Sequence, residues 1–369
     1  MTTVAIIKQE GYNLRNLKVS LNKILSDSGI LELIKNKKVL IKPNCTGLFR
    51  PKEGRTTHPA IIKSLIELLK PVCKSIVIGE SSSVGIDTMK AYKATGISDV
   101  ARKLKIPLID FKKSKYIEIK VNNGIILKKL SIPEELLEAD YIISLAKMKT
   151  NYVSHISCSM KNMKGILKDE EKKMFHKIGL SKSIADLNNC FNNVLAVVDG
   201  VLASELYEPV KGNVLVASKD AVACDSVCAK IMGINPEKIG YIKLIKKTKK
   251  FKKIRLIGDK ILQVSKKFKT TPPNLKTLEK EYKIRIIDGK PCSNCIGALY
   301  LCLKKTKQQA PWLLKNLKIL IGNSKKDAKD CIRFGNCASR HNNKIIIYGC
   351  TPISSDFIKQ LKIYRRKLV

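Results

Sequence analysis

Short runs of aliphatic and β-branched residues alternate along this chain with stretches in which apolar residues recur at every third or fourth position. Runs of the first kind predict strands, and the second kind predicts amphipathic helices. Val4–Lys8, Lys38–Lys42, Ser75–Gly79, Ile106–Phe111, Tyr141–Leu145, Val194–Val198 and Asn213–Ala217 read as strands. Tyr116–Val121 and Ile125–Ile132 read as two more, with a hairpin turn at Asn122-Asn123-Gly124. Helices are predicted over Leu14–Ile34, from His58-Pro59 to about Leu69, from about Thr88 to Leu104, and over Asp220–Met232 and Pro236–Lys247. Gly233 marks the cap between the last two. The alternation predicts an α/β fold, mainly a parallel sheet with helices on both faces.

Weakly patterned, lysine-rich stretches at about Lys246–Lys253 and Lys266–Pro273 interrupt this pattern, and the second contains Thr271-Pro272-Pro273, a linker signal. Residues 1–270 therefore form an α/β domain. Residues 271–369 form a small Cys-rich α/β module, with strands at Ile284–Ile287, Ile319–Ile321 and Ile345–Tyr348.

Composition changes this picture in two ways. The formal charge is +40, but it rests on 61 Lys and only 10 Arg. Specific phosphate and base recognition draws on the bidentate fork of Arg, and the aromatic residues do not interleave with the basic ones as a stacking platform would. A solvated lysine surface is the expectation, and nucleic acid is not the expected partner. No apolar run is long enough to span a bilayer, and the start lacks a signal-peptide pattern, so the expected location is cytoplasmic without membrane insertion. Six of the 12 cysteines lie between Cys292 and Cys350. In a reducing compartment such a local cluster points to metal or redox chemistry rather than to disulfides.

Ligands of open α/β sheets bind beyond the carboxyl ends of the strands, so polar residues following the strand runs are the candidates. Lys42-Pro43-Asn44, Glu80 after Gly79, Lys147 and Lys149 with Lys161-Asn162, and Asp199-Gly200 all fall there. The lysines Lys42, Lys147, Lys149 and Lys161 suit an anionic phosphate or carboxylate substrate. Glu80 and Asp199, read as a carboxylate pair, suit a general base or metal ligands. His58 reads equally well as a helix cap, and His176 as an acid/base group or a surface histidine.

These motifs occur in the order Lys42-Pro43-Asn44, Thr57-His58-Pro59, Gly79-Glu80-Ser81, Lys147-Met148-Lys149-Thr150, Lys161-Asn162 with Gly165, and Val198-Asp199-Gly200, continuing through Ala217–Asp225 to Met232-Gly233. The series resembles the domain of unknown function 362 family of bacteria and archaea over about residues 1–260. The resemblance implies the α/β fold, an iron–sulfur association and no particular reaction, with a distant fold likeness to nickel-dependent lactate racemase. Where the family commonly has a histidine after the Lys-Thr pair, this chain has Asn151, with His155 four residues later.

In the module, Cys292 and Cys295 form a Cys-x-x-Cys pair, while Cys337 and Cys350 each follow a glycine closely. These four are the expected ligands of an iron–sulfur cluster, of the [4Fe–4S] type, with Cys331 in reserve and Cys302 read as core. Structural zinc is the alternative. A redox-active dithiol at Cys292 and Cys295 and plain buried thiols are further readings. The expected function is a redox protein, an oxidoreductase if an enzyme, moving electrons to or from an anionic small molecule or a redox partner protein. A non-redox α/β enzyme with a zinc module is the alternative.

Overall fold

The structure is a computed structural model, which describes residues 1–151, 153–248, 253–269, 274–323, 331–338, 345–352 and 354–366. The Thr271-Pro272-Pro273 linker signal and most of the lysine run before Lys253 lie outside the described residues. The chain divides into two compact units, Met1–Thr270 and Thr271–Val369.

The first unit contains β1 (Thr2–Lys8), β2 (Lys38–Pro43), β3 (Ser75–Glu80), β4 (Leu108–Asp110), β5 (Tyr116–Lys120), β6 (Lys129–Pro133), β7 (Tyr141–Asn151), β8 (His155–Ser157), β9 (Val194–Glu205), β10 (Glu208–Lys211), β11 (Val214–Ser218) and β12 (Ile254–Gly258). The main sheet runs β12-β1-β11-β9-β7-β2-β3-β4, with β10 paired to β9 and β8 to β7. Along this path only β11 runs against its neighbours, and every other pairing is parallel. The expected mainly parallel α/β sheet is therefore observed.

Alternate residues of each central strand enter opposite cores, as the two-residue period of a strand requires. Ile142, Ala146 and Met148 of β7 pack on one side, in the same core as Ala196 and Val198 of β9. Ile143 and Leu145 pack on the other side with Leu195 and Val197. Helices Leu180–Asn189, Ala221–Ile231 and Gly240–Thr248 cover the first face, and Leu14–Asp27, Pro59–Leu69 and Ile97–Lys103 cover the second. Burial on both faces explains why these strands read as continuous apolar runs.

Several boundaries differ from the sequence expectation. The long helices expected over 14–34 and 88–104 are each broken by a glycine in the left-handed region, Gly29 at φ 72° and Gly96 at φ 76°. The second strand of the β5–β6 hairpin begins at Lys129 rather than Ile125, because Asp186 captures the amides of Ile125, Ile126 and Leu127. Strands β7 and β9 run on to Asn151 and Glu205. Lys147, Lys149 and Asp199 thus sit within strands rather than after them.

The second unit has β13 (Arg285–Gly289), β14 (Lys318–Gly322), β15 (Ile332–Phe334) and β16 (Ile346–Ile347), all parallel and in that order. Helices Ser293–Gln309 and Ser354–Arg366 contribute Leu299, Leu303, Phe357 and Leu361 to its core.

Candidate functional site

From β2 the chain builds outward through β3 to β4, whereas β7, on the other side of β2, leads to β9 and β11. A crevice opens at the carboxyl ends of strands where the direction of winding changes. Here that point lies between β2 and β7, and the candidate residues gather beside it.

Lys42, at the end of β2, is fully buried and donates to Glu80 Oε2 at 2.8 Å. Glu80 also accepts from the amides of Cys45 (3.2 Å) and Ser81 (2.9 Å). Burial pushes the Lys42 ammonium down and the Glu80 carboxyl up, and each charge opposes the shift of the other. A Cβ on Gly165 would collide with Glu80 Oε1 and Lys42 Nζ, so this close approach of backbone to ion pair needs glycine. Asn162 donates from Nδ2 to the Lys42 carbonyl and the Ser144 hydroxyl, and its Oδ1 accepts from Asn44 Nδ2.

A second buried pair joins Lys147 on β7 to Asp199 on β9, also at 2.8 Å. Tyr12 donates to Asp199 Oδ1 and stacks on His58 with ring centroids 3.6 Å apart. The His58 amide donates to Asp199, and His58 Nδ1 accepts from the Ala60 amide, so the ring caps helix Pro59–Leu69. Burial lowers the His58 imidazolium to about 4, against the pull of Asp199. Glu80 and Asp199 lie on strands separated by two others, roughly 14 Å at usual strand spacing. They do not form the carboxylate pair expected from sequence. Each instead balances its own lysine.

Between the pairs lies an excess of cations. Lys149, two residues after Lys147 on β7, donates to Asn44 Oδ1 (2.6 Å) and the Arg55 carbonyl (3.0 Å), both uncharged acceptors. Burial, with Arg55 and Lys147 beside it, lowers its ammonium to about 7. The Lys161 side chain makes no hydrogen bond or ion pair among the described residues, and burial beside Lys164 and Lys149 lowers its ammonium well below the ordinary value. Lys164 Nζ lies 2.8 Å from His176 Nε2 and is lowered by burial to about 7. His176 is held neutral, at about 2, by burial and by Lys164 and Lys161. Lys172 donates to the Ser81 carbonyl and hydroxyl and to the Ser82 carbonyl, fixing the end of β3. Asn151 and His155 pair across the β7–β8 hairpin, where Asn151 Oδ1 accepts the Val153 and Ser154 amides. Both therefore sit at the hairpin turn.

In the second unit Cys292 follows β13, Cys337 follows β15 and Cys350 follows β16, while Cys295 lies in the first turn of helix Ser293–Gln309. The carboxyl edge of the parallel sheet thus brings Cys292, Cys295, Cys337 and Cys350 together. The Cys295 thiol is raised, first by its hydrogen bond with Cys292, then by burial and by the charges of Cys292, Cys350 and Cys337. Cys292 stands at the N-cap position without a side-chain cap hydrogen bond, and its sulfur is lowered to about 6, first by the Cys295 thiol and then by the Cys295 and Asn294 amides, against burial. Gly335 (φ 90°) passes close to Cys295 Sγ, and Gly349 N donates to Asn336 Oδ1 at 2.7 Å, tying the last two loops together. Cys331 enters β15 from the opposite, amino edge, and Cys302 is buried in the core. Among the described residues no three His, Cys, Asp or Glu side chains converge as ligands of a single metal ion.

Fold and site together define an α/β protein with a cation-rich crevice at its switch point. The model of the family described as Domain of unknown function (DUF362) matches residues 39–230, and the chain belongs to that family. That span includes every crevice residue named above except Tyr12, and it excludes the cysteine edge. A thylakoid-associated protein of Synechocystis sp. (strain ATCC 27184 / PCC 6803 / Kazusa) is 23% identical over 250 residues, covering 64% of this chain and 76% of that protein. The lactate racemase apoprotein of Thermoanaerobacterium thermosaccharolyticum aligns at 16% identity and a TM-score of 0.40, over 63% of this chain and 57% of that one. No helix among the described residues is long and apolar enough to cross a membrane.

Sequence reasoning misses Tyr12, Arg55 and Lys172. A signal for Lys172 is present: Asp169-Glu170-Glu171 followed by Lys172, Lys173, His176 and Lys177 is the charge order of a helix aligned with its dipole.

Proposed function

We propose that this chain is an iron–sulfur redox protein. Its second unit carries a cluster of the [4Fe–4S] type on Cys292, Cys295, Cys337 and Cys350, and it exchanges electrons with an anionic small molecule held by the first unit or with a partner protein. The supporting observation is that three loops at one edge of a parallel sheet deliver four cysteines, two of them exposed, to one place. The donor set fits such a group. A cluster takes four thiolates on separate irons, and helix-terminal amides at Cys292 favour a thiolate.

When bound, the cluster would supply one-electron transfer. The chain's own groups would do the rest. The nearby Asn294 and Cys295 amides favour the Cys292 thiolate electrostatically, and Gly335, at φ 90°, turns the backbone past Cys295. Lys42, Lys149 and Lys161, with Glu80 and Asp199, form the charged crevice of the first unit.

The test is iron, acid-labile sulfide and zinc analysis, with a visible spectrum, on full-length protein purified without oxygen. About four irons and four sulfides per chain and a band bleached by dithionite are expected. The band should disappear in the Cys292→Ser/Cys295→Ser variant and persist in Cys302→Ser. Stoichiometric zinc without a visible band would replace this reading with the structural-zinc one.

A further inference from the structure

The two buried carboxylates of the crevice are each matched by a lysine, and Lys172 has Asp169 at 3.5 Å. Lys149, Lys161 and Lys164 have no carboxylate within ion-pair distance among the described residues. Their hydrogen-bond partners are an amide oxygen and a carbonyl for Lys149 and an imidazole for Lys164. Lys161 has none of these. The three come from the end of β7 and from the short helical turns that follow β8, where Gly165 lies against the Lys42–Glu80 pair. Each of the three residues is partly rather than fully buried.

An unpaired cation withdrawn from water is costly. A folded chain accommodates it by giving up the proton or by taking up an anion. Three such ammonium groups in one place, each lowered by burial, mark a site that is incomplete without negative charge.

We infer that Lys149, Lys161 and Lys164 form the seat of a phosphate group, either the free ion or one carried by a small molecule. A phosphate dianion would balance two of the three charges, and its tetrahedral oxygens accept point-charge donors from several directions. A planar carboxylate is better matched by the fork of an arginine. His176 accepts from Lys164 and so fixes that ammonium, while Asn44 and the Arg55 carbonyl fix Lys149. The geometry deepens the proposed function by naming the class of its anionic ligand, but it stands on the first unit alone.

The test uses full-length protein titrated with inorganic phosphate and with phenyl phosphate, followed by calorimetry and thermal unfolding at constant ionic strength. Saturable binding and a concentration-dependent rise in Tm are expected, and chloride at equal ionic strength should give neither. Tighter binding of phenyl phosphate would point to an organic phosphate as the ligand, and tighter binding of inorganic phosphate to the free ion. The Lys161→Met variant should weaken binding at least tenfold. It should also raise the Tm of the ligand-free protein, because an unpaired charge has been removed. A lysine with a merely structural role would lower that Tm.

The inference is overturned by absence of saturable binding of both probes, or by unchanged affinity in Lys161→Met. Phosphate binding retained in Cys292→Ser/Cys295→Ser, which lacks the cluster ligands, separates this inference from the redox reading. Loss of iron with phosphate binding intact would defeat neither.

Discussion

Lys42 and Glu80 are almost completely inaccessible, so neither charge has water to fall back on when its partner is removed. Breaking a buried pair leaves an uncompensated charge and costs about 3–5 kcal/mol, whereas replacing both members with apolar residues of similar volume costs far less. Lys42→Met and Glu80→Gln should each lower the urea midpoint strongly, because each leaves the other buried charge behind. The Lys42→Met/Glu80→Leu double variant should recover much of that loss. Additive losses in the double-mutant cycle would show that the two side chains do not act as a pair.

At the level of elements, the turn Ser159–Asn162 is what carries Lys161 and Asn162 into the crevice, and it is held from below. Asp225, on helix Ala221–Ile231, accepts the Ser159 amide at 2.8 Å and the Met160 amide at 3.1 Å. Burial raises its carboxyl to about 7, against the effect of those two amides. Asp225→Ala would leave two buried N–H groups without acceptors, at about 1–3 kcal/mol each. Faster hydrogen exchange at Ser159 and Met160 is the expected readout, with weaker phosphate binding through the displaced Lys161. Unchanged exchange would mean the turn holds itself.

This pin also shows why some of the site is legible in the sequence and some is not. Lys42, Glu80, Lys147 and Asp199 follow from strand runs, because apolar periodicity locates strands and strand ends locate crevices. Which lysine meets which carboxylate depends on strand order, and periodicity carries no information about order. Polar residues end an apolar run even where the backbone ladder continues, so the pattern puts Lys147, Lys149 and Asp199 beyond strands that in fact contain them. The helix breaks at Gly29 and Gly96 depend on a left-handed φ that apolar spacing alone does not reveal.

For the whole molecule, the crevice lysines and the net charge of +40 make stability depend on pH in the same direction. Lys149 and Lys164 titrate near 7 in the folded chain and near 10.4 when unfolded. Between those values the unfolded state binds more protons, so stability should rise with pH by up to about 1.4 kcal/mol per unit for each group, and level off below 7. Easing of the overall repulsion adds to this rise. Urea unfolding from pH 6.5 to 9.5 at fixed salt should show the slope, and Lys164→Met should flatten it by about one group's share. An unchanged slope in that variant would place the titration elsewhere.

The crevice is closed by contacts between parts of the chain that are far apart in sequence. Lys42 meets Glu80 38 residues away and Asn162 120 residues away, and Tyr12 meets Asp199 across 187 residues. Contacts of such separation must overcome loop-closure entropy before they contribute, and they slow folding. The charged pocket therefore cannot exist on a half-assembled sheet. Its lysines meet only when β2 and β7 have paired and the turns after β8 have docked on them, so anion binding would report that this part of the sheet has assembled.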